Sequence, residues 1–386
     1  MTDFRKLLVA QFLSAFADNA ILWTAITWVF ANANEQSWYV PALQASFLIA
    51  FVVLAPWVGS FADTHAKHKV LVNANLVKLS GVGLMIFSIE PIIAYAVVGI
   101  GAAMYSPAKY GVLPELVEEK ELVKANGWIE GATIAAILIG GIVGAKIANQ
   151  SLSMALWFIV ILYIVSALIA TRIGPLQAVH EKKPGLLKEF ITTCKALANI
   201  RRSRFALIGS AIFWAAAAVL RVALVAWAPL VLVISDTDEI AELTLFISIG
   251  IVVGSLLSAK IFRLEDLRQT RFAAYAMGVF VLIFSQVDTV ITTWIILFLI
   301  GAAGGMFIVP INAVIQDIGH KTVGAGGTVA TQNFFNNFAM LLASILFTVS
   351  SLVGVSPIIG IVTIGIVILI STLIIARQTG NSAVIH

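Results

Sequence analysis

Charge is scarce in this 386-residue chain: only 11% of its residues are Asp, Glu, Lys or Arg, against about a quarter in an ordinary soluble domain. So few charges cannot clothe a water-facing surface. With 60% hydrophobic residues and a mean hydropathy of +1.00, most of the surface must face lipid. Cysteine is nearly absent, and the single Cys194 excludes an internal disulfide or a cysteine metal cluster. The dipeptide Gly-Lys never occurs, which excludes a GxxxxGK(S/T) nucleotide loop. No His stands five positions before an Asp, which argues against an acyltransferase of the HxxxxD type. The five histidines, His65, His68, His180, His320 and His386, fall in loops or the tail, which disfavours a buried proton relay or a metal site.

What is abundant is apolar length. A spanning helix needs roughly 20 mainly apolar residues, and such runs fall near 7–30, 42–62, 70–88, 91–106, 126–148, 153–172, 205–233, 242–261, 271–287, 291–316, 328–351 and 356–376. The run after Asp3, Arg5 and Lys6 lacks a small-residue cleavage signature and reads as a retained first helix. The longest polar break holds the densest charge cluster and the Pro184-Gly185 pair. It divides the chain into an N-terminal six-helix bundle (1–172), a linker (173–204) and a C-terminal six-helix bundle (205–386).

The basic residues set the orientation. With the N-terminus inside, all but Lys78, Lys146 and Arg221 of the 24 Lys and Arg residues fall in cytoplasmic loops or helix ends. The opposite loops hold acids, among them Glu35, Glu90, Asp236, Asp238, Glu239, Glu242 and Asp288. This is the positive-inside pattern, and it places both termini in the cytoplasm. The net charge of +4 is therefore topological, and no nucleic-acid partner is expected.

The halves also echo each other. Val58-Gly59-Ser60 matches Val253-Gly254-Ser255, Val123 to Gly127 matches Val323 to Gly327, and Pro107 falls against Pro310, all about 200 residues apart. The pattern predicts an all-α integral membrane protein with two pseudo-symmetric six-helix bundles, the major facilitator arrangement, with substrate bound midway.

Ionisable residues inside spans are costly in hydrocarbon and mark a cavity or a partner. Asp18 and Asn19 are expected to interrupt the first helix. Lys78 lies about 13 Å into the third at 1.5 Å per residue, Glu130 one turn into the fifth, and Arg221 near the middle of the seventh. Asp18 and Arg221 fall at similar depth in repeat-related helices. If they approach one another, they suit the ammonium and phosphate of a zwitterion, since an arginine fork bonds two phosphate oxygens at once. The other reading is a buried pair that only sets helix register.

Tyr105-Ser-Pro-Ala-Lys109-Tyr-Gly111 is expected to end helix four at Pro107, with Lys109 at the cytoplasmic mouth as a phosphate contact or as a plain interfacial lysine. Helix eleven carries Gln332, Asn333, Asn336 and Asn337. Asn333 and Asn337 share a face, as a cavity stripe or as interhelical glue. Gly127 with Gly131, Gly140 with Gly144, and Gly250 with Gly254 point to close helix packing. Gly59-Ser-Phe-Ala-Asp63-Thr-His-Ala-Lys67-His-Lys69 is similar to the superfamily's GxxxDxxGrr loop, with Ala66 in place of the second glycine. Gly59, Asp63, Lys67 and Lys69 read as a conformational latch.

Several strings resemble the lysophospholipid transporter family: Gln11 to Ala20, Tyr105 to Gly111, Leu122 to Gly127, the run from Glu130, Phe213-Trp214 before Leu220-Arg221, Ile249 to Gly254, and Val309 to Ala313. The resemblance implies a transporter without cofactor or enzymatic activity. It would move lysophosphatidylethanolamine and related lysophospholipids from the outer to the inner leaflet of the bacterial inner membrane. The further partner implied is a separate cytoplasmic acyltransferase/acyl-carrier-protein synthetase, because this sequence shows no enzymatic domain before His386. The residues carried by the resemblance are Asp18, Asn19, Lys109, Glu130 and Arg221, with Lys78 in a less distinctive string. Phe12, Phe16, Trp23, Trp214 and Trp227 are candidates for an apolar wall beside the acyl chain. A superfamily exporter of drugs or hydrophobic metabolites is the other function that the composition admits.

Overall fold

A computed structural model describes residues 2–31, 38–117, 122–174, 185–261, 269–322 and 325–380. Among them are thirteen helices and no strand: α1 (Asp3–Ala31), α2 (Tyr39–Thr64), α3 (Lys67–Ile86), α4 (Pro91–Leu116), α5 (Leu122–Gln150), α6 (Leu152–Ala170), α7 (Leu186–Asn199), α8 (Arg201–Val231), α9 (Thr237–Ile261), α10 (Thr270–Phe284), α11 (Val290–Thr322), α12 (Ala325–Leu352) and α13 (Pro357–Gly380). Eleven of these are long and apolar enough to cross a membrane. In hydrocarbon every backbone N–H and C=O must find a partner within the protein, and the helix satisfies both without outside help. The expected span at 271–287 is the exception, because α10 covers only 15 residues, about 22 Å at 1.5 Å each.

Two expectations are corrected. Helix four does not stop at Pro107, for α4 runs on to Leu116. Proline removes one donor, whereas ending the helix in an apolar setting strands several backbone groups, so continuing costs less. Asp18 and Asn19 do not interrupt α1, which is continuous. The linker contains the helix α7, whose Leu186, Phe190, Cys194 and Leu197 recur at helical spacing. Leu197 is fully buried, while Leu187 and Ile191 are exposed.

The chain forms two compact units. Unit 1 comprises Met1–Glu35, Ala42–Ile191 and Asp236–Ala241; unit 2 comprises Gln36–Pro41, Thr192–Ser235 and Glu242–His386. Within unit 1, α1 packs on α5 and α6, and α3 on α4 and α6. Within unit 2, α8 packs on α11, α12 and α13, and α10 on α11 and α13.

Small residues set these distances. A Cβ added to Gly144 of α5 would lie 2.5 Å from the Cα of Ala20 on α1, and one added to Gly140 would lie 2.5 Å from the Phe16 carbonyl. The backbones therefore touch, which is how helices gain contact where lipid gives no hydrophobic drive. Gly250 and Gly254 of α9 make the same close approach to Phe298 and Ala302 of α11. Gly131, by contrast, faces open space, so it plays no packing role; Gly127 lies outside the residues whose side chains are described.

Candidate functional site

The charged centre of unit 1 is built on three helices. Ala10, Ser14 and Asp18 recur every fourth residue along α1, which stacks them on one face. Asn75 and Lys78 lie three apart on α3, and Tyr163 and Ser166 three apart on α6. Lys78 Nζ donates to Asp18 Oδ2 at 2.7 Å and to Ser14 Oγ at 2.9 Å. The hydroxyl of Tyr163 donates to the other carboxylate oxygen, Asp18 Oδ1, at 2.7 Å. Below them Ser14 Oγ donates to Asn75 Oδ1 (2.8 Å), Asn75 Nδ2 to Ser166 Oγ (2.9 Å), and Ser166 Oγ to the Ala10 carbonyl (2.8 Å). The ammonium of Lys78 also stands 4.8 Å from the centroid of the Tyr105 ring on α4 and 5.7 Å from that of Tyr163.

An isolated charge in so apolar a place would be neutralised rather than tolerated; here each is met by an opposite charge or an oriented dipole. The two ends of the pair differ. The Lys78 side chain is 1% exposed and the Asp18 side chain 18% exposed, so the carboxylate is the open end. Gly101 of α4 makes room for the lysine stem, because a Cβ there would meet Lys78 Cγ at 2.5 Å. The Tyr105 hydroxyl is sealed without a hydrogen-bond partner among the described residues.

The other sequence-derived residues separate. Asn19 turns back on its own helix, Nδ2 donating to the Ala15 carbonyl at 2.9 Å. Lys109 is buried inside α4, well before the end of that helix. The side chains of Glu130, Gly59 and Asp63 lie outside the described residues; Lys67 is buried and Lys69 exposed. Arg221 is half-buried on α8 of unit 2. Asn337 Nδ2 donates to the backbone carbonyl of Asn333 one turn earlier at 2.7 Å. Gln332 and Asn336 of the same helix reach across to α8 and α11. Of the aromatics, Phe16, Trp23 and Trp227 are buried in the core, Phe12 is half-buried, and Trp214 is exposed.

Sequence reasoning missed Asn75, Tyr163 and Ser166 as partners of the Asp18–Lys78 pair, and Gln11, whose Nε2 donates to Thr133 Oγ1 of α5 at 2.9 Å. The signal lay in their spacing. Each is a polar residue at three- or four-residue intervals on an otherwise apolar helix.

Comparison with known proteins agrees with this architecture. The sequence model of the Major Facilitator Superfamily matches residues 7–348. The chain is 40% identical over 358 residues to the lysophospholipid transporter LplT of Shigella boydii, covering 91% of this chain and 89% of that one. It is 38% identical over 366 residues to the protein of the same name from Photorhabdus laumondii, covering 94% and 91%. The crystal structure of nucleoside transporter NupG superposes with a TM-score of 0.72 at 14% identity, covering 98% of each chain; at that identity the likeness concerns the fold alone.

Proposed function

The chain belongs to the lysophospholipid transporter (LplT) family within the major facilitator superfamily, and from that premise we propose that it moves lysophosphatidylethanolamine and related lysophospholipids from the outer to the inner leaflet of the bacterial inner membrane. The observation that carries this reading is the 40% identity to a lysophospholipid transporter across 91% of the chain. Both termini are cytoplasmic in this reading, supported by the distribution of Lys and Arg. A separate acyltransferase/acyl-carrier-protein synthetase on the cytoplasmic side restores the second acyl chain.

The chemistry of the cargo suits the residues. A lysolipid has one acyl chain and a charged head, so its carrier needs polar groups next to an apolar wall. Asp18 offers a carboxylate whose partners leave it partly open. An ethanolamine ammonium there competes with Lys78 for Oδ2 and with the Tyr163 hydroxyl for Oδ1. Arg221 takes the phosphate, its planar fork matching two oxygens. The acyl chain stays against apolar surface. The two six-helix bundles, 1–172 and 205–386 about the 173–204 linker, rock to expose the head to each leaflet in turn. Lys109 and Glu130 border the path, and Asn333 and Asn337 contribute polar surface to it. Gly59, Asp63, Lys67 and Lys69 latch the cytoplasmic side.

Inner-membrane vesicles test this reading. Labelled lysophosphatidylethanolamine is placed in the periplasmic leaflet, with the acylating enzyme and its acyl donor on the cytoplasmic side. Conversion to diacyl lipid that depends on this protein is the expected result. Equal conversion in vesicles lacking it contradicts the proposal.

A further inference from the structure

Unit 2 holds a second buried polar cluster, made without any charge. Gln332 of α12 donates from Nε2 to Asn312 Oδ1 of α11 at 2.7 Å and to Ser210 Oγ of α8 at 3.2 Å. Ser210 Oγ donates in turn to Asn336 Oδ1 of α12 at 2.9 Å. Ser210, Gln332 and Asn336 are buried, while Asn312 is half-buried. The cluster answers the Gln11–Thr133 contact of unit 1, which also links the first and fifth helices of its half. Here it is enlarged by two carboxamides.

Interhelical glue would leave its donors spent. This cluster does not. A carboxamide nitrogen carries two N–H donors, and in Asn312 and Asn336 only the oxygen is engaged. Neither nitrogen has an acceptor among the described residues, and neither is among the sealed unpartnered atoms. Four N–H donors on adjacent helices are left over, in carboxamides held by Gln332 and Ser210 through their oxygens, and the cluster itself includes no basic residue. That arrangement suits an oxygen-rich anion or ester that must be held briefly. Conduction needs a site that binds well enough to fill and weakly enough to empty.

We propose that the Asn312 and Asn336 carboxamides, braced by Gln332 and Ser210, form a neutral phosphate station of unit 2 that contacts the phosphodiester of the lysolipid head. The proposal rests on the lysophospholipid reading above and adds a place and a selectivity to it. Ser210 and Arg221 are eleven residues apart, three turns of α8, so they share a face about 16 Å apart along the helix. One face of a single helix thus carries a charged phosphate contact and a neutral one at different depths. Because the neutral station reads only the phosphodiester, it serves zwitterionic and anionic lysolipids alike. Discrimination between heads then falls to Asp18 in unit 1.

The test uses the full-length protein in proteoliposomes, with initial rates of inward movement measured against the mole fraction of labelled lysophosphatidylethanolamine and, separately, lysophosphatidylglycerol. Asn312→Leu should raise the apparent KM about tenfold for both lipids, the factor that one lost bond to a charged acceptor carries, and should also lower the melting temperature, because Gln332 loses its acceptor. An unchanged KM with a lowered melting temperature would mean glue only and overturns the proposal. A rise for one lipid alone overturns it as well. If Asn312→Leu does not fold, Asn312→Asp keeps the oxygen that Gln332 needs and removes the donors; an unchanged KM in that variant is equally contrary. Wild-type protein that moves neither lipid refutes the transport reading itself, whereas normal wild-type movement with a normal Asn312→Leu KM refutes only the station.

Discussion

Asp18 and Lys78 join α1 to α3 through a 2.7 Å ion pair in which the lysine is sealed and the carboxylate is partly open. The asymmetry makes the two residues unequal to substitution. Lys78 has nowhere to relax if Asp18 is neutralised, because removing one partner of a buried pair leaves an uncompensated charge. Asp18→Asn should therefore destabilise unit 1 by about 3–5 kcal/mol, seen as a lower melting temperature in detergent. Asp18→Asn combined with Lys78→Met should recover most of that loss without recovering transport. A double variant as unstable as the single one would show that the pair is not the source of the cost.

Arg221 is expected to matter for cargo. Arg221→Ala should abolish lysophosphatidylethanolamine movement while membrane insertion stays near wild type. Arg221→Lys should retain a small part of the rate, since a lysine supplies charge without the two-oxygen fork. Full activity in Arg221→Lys would point to charge alone as the requirement.

Backbone contact between α1 and α5 predicts a steric effect at Gly144. A valine there drives its Cβ into Ala20, and both the Cα and the helix behind it resist. Overpacking of this kind costs about 1–3 kcal/mol, occasionally more. Gly144→Val should lower the yield of folded protein, while Gly131→Ala, facing open space, should be silent. Fluorescence-detected size-exclusion chromatography of the two variants separates these outcomes.

The single cysteine reports on α7. Cys194 Sγ sits 3.7 Å from Thr331 Oγ1 of α12, and burial pushes its thiol above the ordinary range, partly offset by that contact. A raised pKa means less thiolate at neutral pH. Maleimide labelling at pH 7 should be slower than for an exposed cysteine and should climb as pH passes above the usual thiol range. Unfolding in dodecyl sulfate should remove the difference. Fast labelling of the native protein at pH 7 would mean that α7 does not hold this position.

Much of the architecture was legible because the membrane imposes lengths. Runs of some 20 apolar residues are conspicuous. Pro107 misled because the soluble-protein cost of proline was applied where ending a helix is dearer. The helix α7 (Leu186–Asn199) lies within a charge-rich segment, where its apolar residues recur at helical spacing. At the site, Asp18 and Lys78 stood out singly as charges in apolar helices. Their pairing did not, because residues sixty positions apart meet only through the way α1 packs on α6 and α6 on α3. Asn75, Tyr163 and Ser166 were quieter still: a neutral polar residue in an apolar helix acquires meaning only from what it faces. Asn312 beside Gln332 is the same case in unit 2.

Albumin back-extraction reads the movement of a lysolipid between leaflets. Purified protein is reconstituted into liposomes carrying labelled lysophosphatidylethanolamine, and albumin added outside removes whatever remains in the outer leaflet. Wild-type protein should speed transfer into the protected pool, and Arg221→Ala should not. Label that stays fully extractable with folded wild-type protein, at the rate of protein-free liposomes, would contradict the proposed movement.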